Sequence, residues 1–166
     1  MVSVNIMDCP LWGGGRILPR SGDYYAIESR RAGGCYRISG TALALFTQQK
    51  HPTLAAKLTT WIVDQHRFGE LEPMITEPVL TTVANKRRLR TSDQLKRFFL
   101  LLDSRQFRLG DSLNVAGTVD QKQRDDVDDL CAWLELEDPR ELNQFVRILI
   151  EERLVTDNVS RIILTA

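Results

Sequence analysis

Apolar spacing along this chain changes character near Thr41. Before it, short alternating runs are punctuated by glycines at Gly13 to Gly15 and at Gly33-Gly34, which predicts a small antiparallel sheet with two tight turns. After it, apolar residues recur every three or four positions. Leu43, Ala44 and Leu45 open a helix that stops near His51-Pro52, because proline excludes the preceding residue from helical angles. Pro52 then sits in the first turn of a second helix, through Leu54, Leu58, Trp61, Ile62 and Gln65, which ends at Phe68-Gly69. Met74-Ile75 reads as a brief strand, and Thr76 as the cap of a short helix carrying Leu80 and Val83. Thr91-Ser92-Asp93 forms an N-cap cluster for a helix through Leu95, Phe98, Phe99, Leu101 and Leu102, whose apolar content predicts thorough burial.

Residues 107–121 hold Gly110, Gly117 and small polar residues, and read as a long loop. A helix from about Gln123 to Leu134 follows, burying Val127, Leu130, Cys131 and Leu134 with its aspartates facing water. Asp138-Pro139-Arg140-Glu141 then supplies an N-cap, a first-turn proline and a first-turn acid for a helix burying Leu142, Phe145, Val146, Leu149 and Ile150. Leu154-Val155-Thr156, a turn at Asp157-Asn158 and Ser160 to Leu164 complete a hairpin. Three helices and a hairpin in that order predict a winged helix. The expected fold is therefore α+β and mainly helical, with a ribbon-like antiparallel sheet over 1–40, a helical linker segment over 41–90 and a winged-helix domain over 91–166.

Two turns in the first forty residues stand where a zinc ribbon carries its ligands. Cys9-Pro10-Leu11-Trp12-Gly13-Gly14 has the form of a Cys-Pro-x-Cys-Gly-Gly knuckle with Trp12 in place of the second cysteine, and Ser29 and Ala32 fill both ligand positions of the second. Zinc needs four soft or borderline donors, and one thiolate with an indole, a hydroxyl and a methyl does not supply them. The expected ribbon is metal-free and held by apolar residues such as Trp12, Tyr24, Tyr25 and Ile27. A residual zinc site built from Cys9, Cys35 and a histidine is the alternative that metal analysis addresses.

The 166 residues carry 22 basic and 22 acidic side chains, so no global field draws the chain to nucleic acid or an anionic membrane. Three unevenly spaced cysteines fit reduced thiols in a cytoplasmic protein better than a disulfide framework, with a Cys9–Cys35 pair as the one bridge to consider. No segment has the roughly 20 apolar residues of a membrane span, and Met1 to Asp8 lacks the form of a signal peptide.

Taken together, the knuckle at Cys9 to Gly14, Tyr36 to Gly40, Trp61-Ile62 with His66 to Gly69, and the closing Ile162 to Ala166 resemble the amino-terminal region of bacterial multidomain proteins of the prophage or anti-phage defence type. In that group a zinc ribbon and a winged helix precede an effector or nucleotide-handling domain. The resemblance spans most of the chain and implies an adaptor. The family's knuckles carry paired cysteines, from which Trp12, Ser29 and Ala32 depart. Its members continue past a Leu-Thr-x-x-Gly segment, which implies either a longer natural chain or a protein that keeps the adaptor half.

No catalytic or cofactor constellation stands out. His51 adjoins a proline and His66 a helix end, without a nucleophile at motif spacing. Gly13-Gly14-Gly15-Arg16 lacks the Lys-Ser/Thr of a phosphate loop, and Asp125, Asp126, Asp128 and Asp129 read as a solvated face rather than a cation site. Nucleic acid is the serious alternative. Residues 84–108 carry eight basic side chains against two acids, including Lys86, Arg87, Arg88 and Arg90, whereas residues 109–141 carry three against ten. That acidic excess, with Glu141, Glu151 and Glu152 on the helix that would enter a groove, repels phosphates.

The expected function is a non-enzymatic protein-interaction or regulatory module for a protein partner or effector domain, using Trp12, Arg140, Asn143 and Arg147. The alternative is a DNA-binding regulator using Lys86 to Arg90 and the wing around Asn158 to Arg161. Opposite charge on adjacent segments fits either packing within one chain or head-to-tail homo-oligomers.

Overall fold

Two hydrophobic cores form, one within Met1–Arg88 and one within Leu89–Ala166. The computed structural model describes residues 8–18, 22–115, 121–157 and 161–164. In the first unit, strands β1 (Arg16–Ile17), β2 (Tyr24–Ser29), β3 (Gly34–Ser39) and β4 (Met74–Ile75) lie in the order β1-β2-β3-β4. The first three are antiparallel and β4 runs parallel to β3. A parallel neighbour needs a long crossover, and α1 (Gly40–Gln48) with α2 (Pro52–Arg67) provides it. α3 (Glu77–Ala84) follows β4.

Local chemistry sets these boundaries. Ser39 ends β3 in extended geometry and its Oγ accepts from the Ala42 amide at 3.2 Å, so strand passes into helix without a linker. His51 caps α2 through Nδ1, which accepts from Thr53, and Pro52 occupies the first turn. Thr76 stands at the N-cap of α3 but makes no side-chain cap bond. The sheet buries Ile27, Tyr36 and Ile38 against Leu43, Phe46, Leu58 and Ile62, with Ile27 directly opposite Tyr36. The expected boundary at residue 40 therefore divides nothing. Sheet and helices share one core.

The second unit contains α4 (Thr91–Ser104), β5 (Ser112–Asn114), α5 (Gln121–Trp133), α6 (Pro139–Glu151), β6 (Val155–Asp157) and β7 (Arg161–Leu164). Its strands are antiparallel in the order β5-β7-β6. Asp138 caps α6, accepting from the Arg140 amide at 2.7 Å, with Pro139 in the first turn. Phe98, Leu130, Leu134, Leu142 and Leu149 form the centre of the core, and Phe98 meets Phe145 edge to face with centroids 5.8 Å apart.

Three expectations change here. Residues 107–121 contain a strand, β5, because Leu113 reaches the core and the backbone pairs with β7. α4 is not thoroughly buried: five successive apolar residues, Phe98 to Leu102, sweep around a helix that turns 100° per residue, leaving Phe99 45% and Leu100 39% exposed. The aspartates of α5 do not form a solvated face. Asp126 is 8% exposed and accepts from Arg105 Nη1 at 2.9 Å and from Asn114 Nδ2 at 2.7 Å, while Asp129 pairs with Arg105 Nη2. Asp125 and Asp128 are half-buried.

Candidate interaction surfaces

α6 buries Leu142, Phe145, Val146 and Leu149, and the opposite stripe presents Arg140, Asn143, Gln144, Arg147 and Glu151 to solvent. Those positions recur at three and four residues, so they share one face. Arg140 is committed to Asp138, whose carboxylate accepts from its Nε at 2.9 Å; that hydrogen bond and the adjacent charge raise the arginine pKa above its ordinary value. Among the described residues, the side chains of Asn143, Gln144 and Arg147 have no hydrogen-bonding or ionic partner. Glu141 turns back instead and accepts from the Glu137 amide at 3.3 Å. Gln144, which the sequence reading did not single out, belongs to this face as fully as Asn143 does, and its i+4 spacing from Arg140 is the signal that finds it.

Lys86, Arg87, Arg88 and Arg90 are all exposed. The tract crosses the border between the units, with Arg88 ending the first and Leu89 opening the second. Arg90 donates its amide to Asp93 at 3.4 Å, the contact that starts α4. The backbone carbonyl of Lys86 accepts from Lys57 Nζ, which also donates to Ala84 O at 3.0 Å and so closes the last turn of α3. Asn158 to Ser160 of the expected wing lie outside the described residues.

Trp12 is not an open surface anchor. Its Nε1 donates to Thr59 Oγ1 at 2.7 Å, its ring packs against the first core, and the Arg31 guanidinium lies 3.9 Å above it. The ribbon positions it belongs to come together through packing. Cys9 is buried and its Sγ shares a 3.3 Å hydrogen bond with the hydroxyl of Tyr36. Burial first, and Cys9 second, push the Tyr36 pKa well above its ordinary value. Ala32 and Ser29 are buried. A Cβ on Gly15 would stand 2.7 Å from Glu28 O, and one on Gly33, at φ +90°, would stand 2.8 Å from Val63 Cγ2, so both turns press their backbones against neighbours. Cys9, Cys35 and Cys131 are thiols outside any disulfide. Among the described residues no three histidine, cysteine or acidic side chains cluster as metal ligands. No helix among them is long and apolar enough to cross a membrane.

Two exposed apolar pairs carry no sequence signal of their own. One is Phe99 with Leu100 on α4, and the other is Phe68 with Leu71 in the turn after α2, 83% and 82% exposed. Phe68 does end its helix as expected, but a terminating residue reveals nothing about which way its ring points.

Comparison with protein-family models, with curated proteins and with solved structures gave no match to this chain.

Proposed function

We propose that residues 89–166 form a winged helix that docks a polypeptide through the exposed face of α6, and that the chain is a non-enzymatic adaptor or regulatory module acting in the cytoplasm. The element order α4-β5-α5-α6-β6-β7, with β7 central in its sheet, supports the winged-helix reading. The degenerate ribbon and the kinship with defence-type multidomain proteins belong to the same proposal. One observation carries the choice of partner. Residues 89–166 hold 11 basic against 15 acidic side chains, a net charge of −4, and ion pairs such as Arg105 with Asp126 leave that sum unchanged. Proteins that hold duplex DNA neutralise about 6–10 phosphates. The α6 face offers Arg147 and an Arg140 already tied to Asp138. A stripe that sets two amides and one uncommitted arginine beside Glu151, with Arg140 already neutralised by Asp138, suits the polar surface of a protein.

A second reading rests on the same stripe, because Arg, Asn and Gln are the side chains that pair with base edges in a major groove. Fluorescence anisotropy with a duplex of about 24 bp at low salt separates the two. The proposal expects no binding tighter than about 100 µM, the weak end of non-specific affinity. A photocrosslinking residue in place of Asn143 is expected to yield one discrete polypeptide adduct, lost in Arg147→Glu. Salt-dependent duplex binding that weakens in Arg147→Ala would overturn the protein-docking reading.

A further inference from the structure

Large apolar side chains four-fifths exposed are unusual in a turn held by several backbone hydrogen bonds. The Phe68 amide donates to Asp64 O at 3.1 Å, Gly69 to His66 O at 3.0 Å and Glu70 to Gln65 O at 3.0 Å. The His66 ring bonds back from Nδ1 to Glu70 O at 2.8 Å, and Arg37 Nε donates to Glu72 O at 3.2 Å. Phe68 and Leu71 therefore project from a built platform rather than a loose loop, which lowers the ordering cost of inserting them into a partner. Two large apolar side chains three positions apart, both held out to solvent, suit insertion into a partner.

The same unit carries a receptor of matching chemistry. Between α2 and α3, Trp61, Pro78, Val79, Thr82 and Val83 line an open, mainly apolar groove with a cavity of about 170 Å³. A buried apolar cavity of about 150 Å³ takes up benzene, so this one has room for a phenylalanine ring. At its Val83 end the chain continues into exposed Lys86 and Arg87, and the Lys86 amide bonds to Val83 O at 3.1 Å. The turn bearing Phe68 and Leu71 carries exposed Glu70 between them. Glu70 and Glu72 outnumber Arg67 around the knob, and Arg67 pairs with Asp64, whereas Lys86 and Arg87 outnumber Glu77 around the groove, so the two differ in net charge sign as well as in shape. They cannot meet within one molecule, since Trp61 and Phe68 are separated by about two turns, roughly 10 Å, of one continuous helix.

We propose that the Phe68–Leu71 turn of one copy seats in the α2–α3 groove of a second copy, joining chains head to tail. The contact is heterologous, so each copy retains one free knob and one free groove, and the assembly grows until a ring closes. This inference concerns the first unit and stands apart from the α6 proposal.

Sedimentation velocity of the full chain from about 1 to 300 µM tests it, with far-UV circular dichroism as the fold control. Wild type is expected to gain mass with concentration. Phe68→Ser with Leu71→Ser removes the knob, and Thr82→Arg fills the groove; both positions are exposed, and each variant alone is expected to stay monomeric, its association weakened at least about tenfold. A mixture of the two restores one competent knob and one competent groove, and is expected to form one-to-one dimers that grow no further. A wild type that stays monomeric throughout, variants that associate like wild type, or a mixture that fails to dimerise would each overturn the proposal.

Discussion

Replacing Arg105 by alanine separates a structural role for the α5 aspartates from a surface one. Arg105 spans α4 and α5, its Nη1 on Asp126 and its Nη2 on Asp129, with the three side chains 20%, 12% and 19% exposed. Removing one partner of a buried ion pair costs about 3–5 kcal/mol, because the remaining charge loses its counterion without regaining water. Asp126 keeps its bonds from Asn114 N and Nδ2 and the site is not fully dry, which places the expected loss near the lower end, about 3 kcal/mol. That corresponds to roughly a 150-fold fall in opening free-energy protection. Hydrogen exchange followed by mass spectrometry reads the two units separately. Core amides of α4, α5 and α6 are expected to lose about two orders of magnitude of protection, while those of α2 stay unchanged. The triple variant Arg105→Ala with Asp126→Asn and Asp129→Asn removes the stranded charges and is expected to be more stable than Arg105→Ala alone. A loss below about 1 kcal/mol, the range of a surface pair, or a triple variant less stable than the single one, refutes the argument.

Three further outcomes follow from the first unit. Gly33→Ala combines a positive φ with a clash on Val63 and is expected to cost about 2–4 kcal/mol, measured by urea unfolding followed through Trp12 and Trp61 fluorescence. Tyr36 ionises later in the folded than in the unfolded protein, so its contribution is complete below about pH 10 and declines as pH rises beyond it. Tyr36→Phe is expected to cost about 1 kcal/mol at neutral pH and to flatten the alkaline fall in melting temperature. Cys35 is the half-buried thiol, and burial, Glu28 and Glu72 raise its pKa. Alkylation at pH 8 is expected to be slower there than in a free cysteine peptide, slower still at buried Cys9 and Cys131, and faster at Cys35 in Glu28→Gln.

Where an element is specified by its own residues, it was readable in the chain. Pro52 with the Leu54, Leu58 and Ile62 stripe gives α2, and Asp138-Pro139 with Leu142, Phe145 and Leu149 gives α6, because caps and helical spacing act within a few residues. What depends on distant partners was not. Ser112-Leu113-Asn114 holds a single apolar residue and becomes a strand only by pairing with Arg161 to Ile163, far along the chain. Asp126 looks like any solvated helical acid until Arg105, 21 residues earlier, is folded over it. Trp12 is similar: its fate rests on Thr59, 47 residues away. Of the exposed α6 stripe, Arg140, Asn143 and Arg147 were legible from helix spacing alone, whereas the exposure of Phe68 and Leu71 depends on a turn bonded by His66 and Arg37.

The clasp made by Trp12, Thr59 and Arg31 carries one more consequence. A turn locked by a metal answers to chelators and acid, whereas one locked by an indole answers to temperature. Hydrophobic stabilisation weakens on chilling, so the packing of the Trp12 ring on the first core is expected to weaken near freezing, leaving the Thr59 hydrogen bond and the Arg31 contact to hold the 9–15 turn.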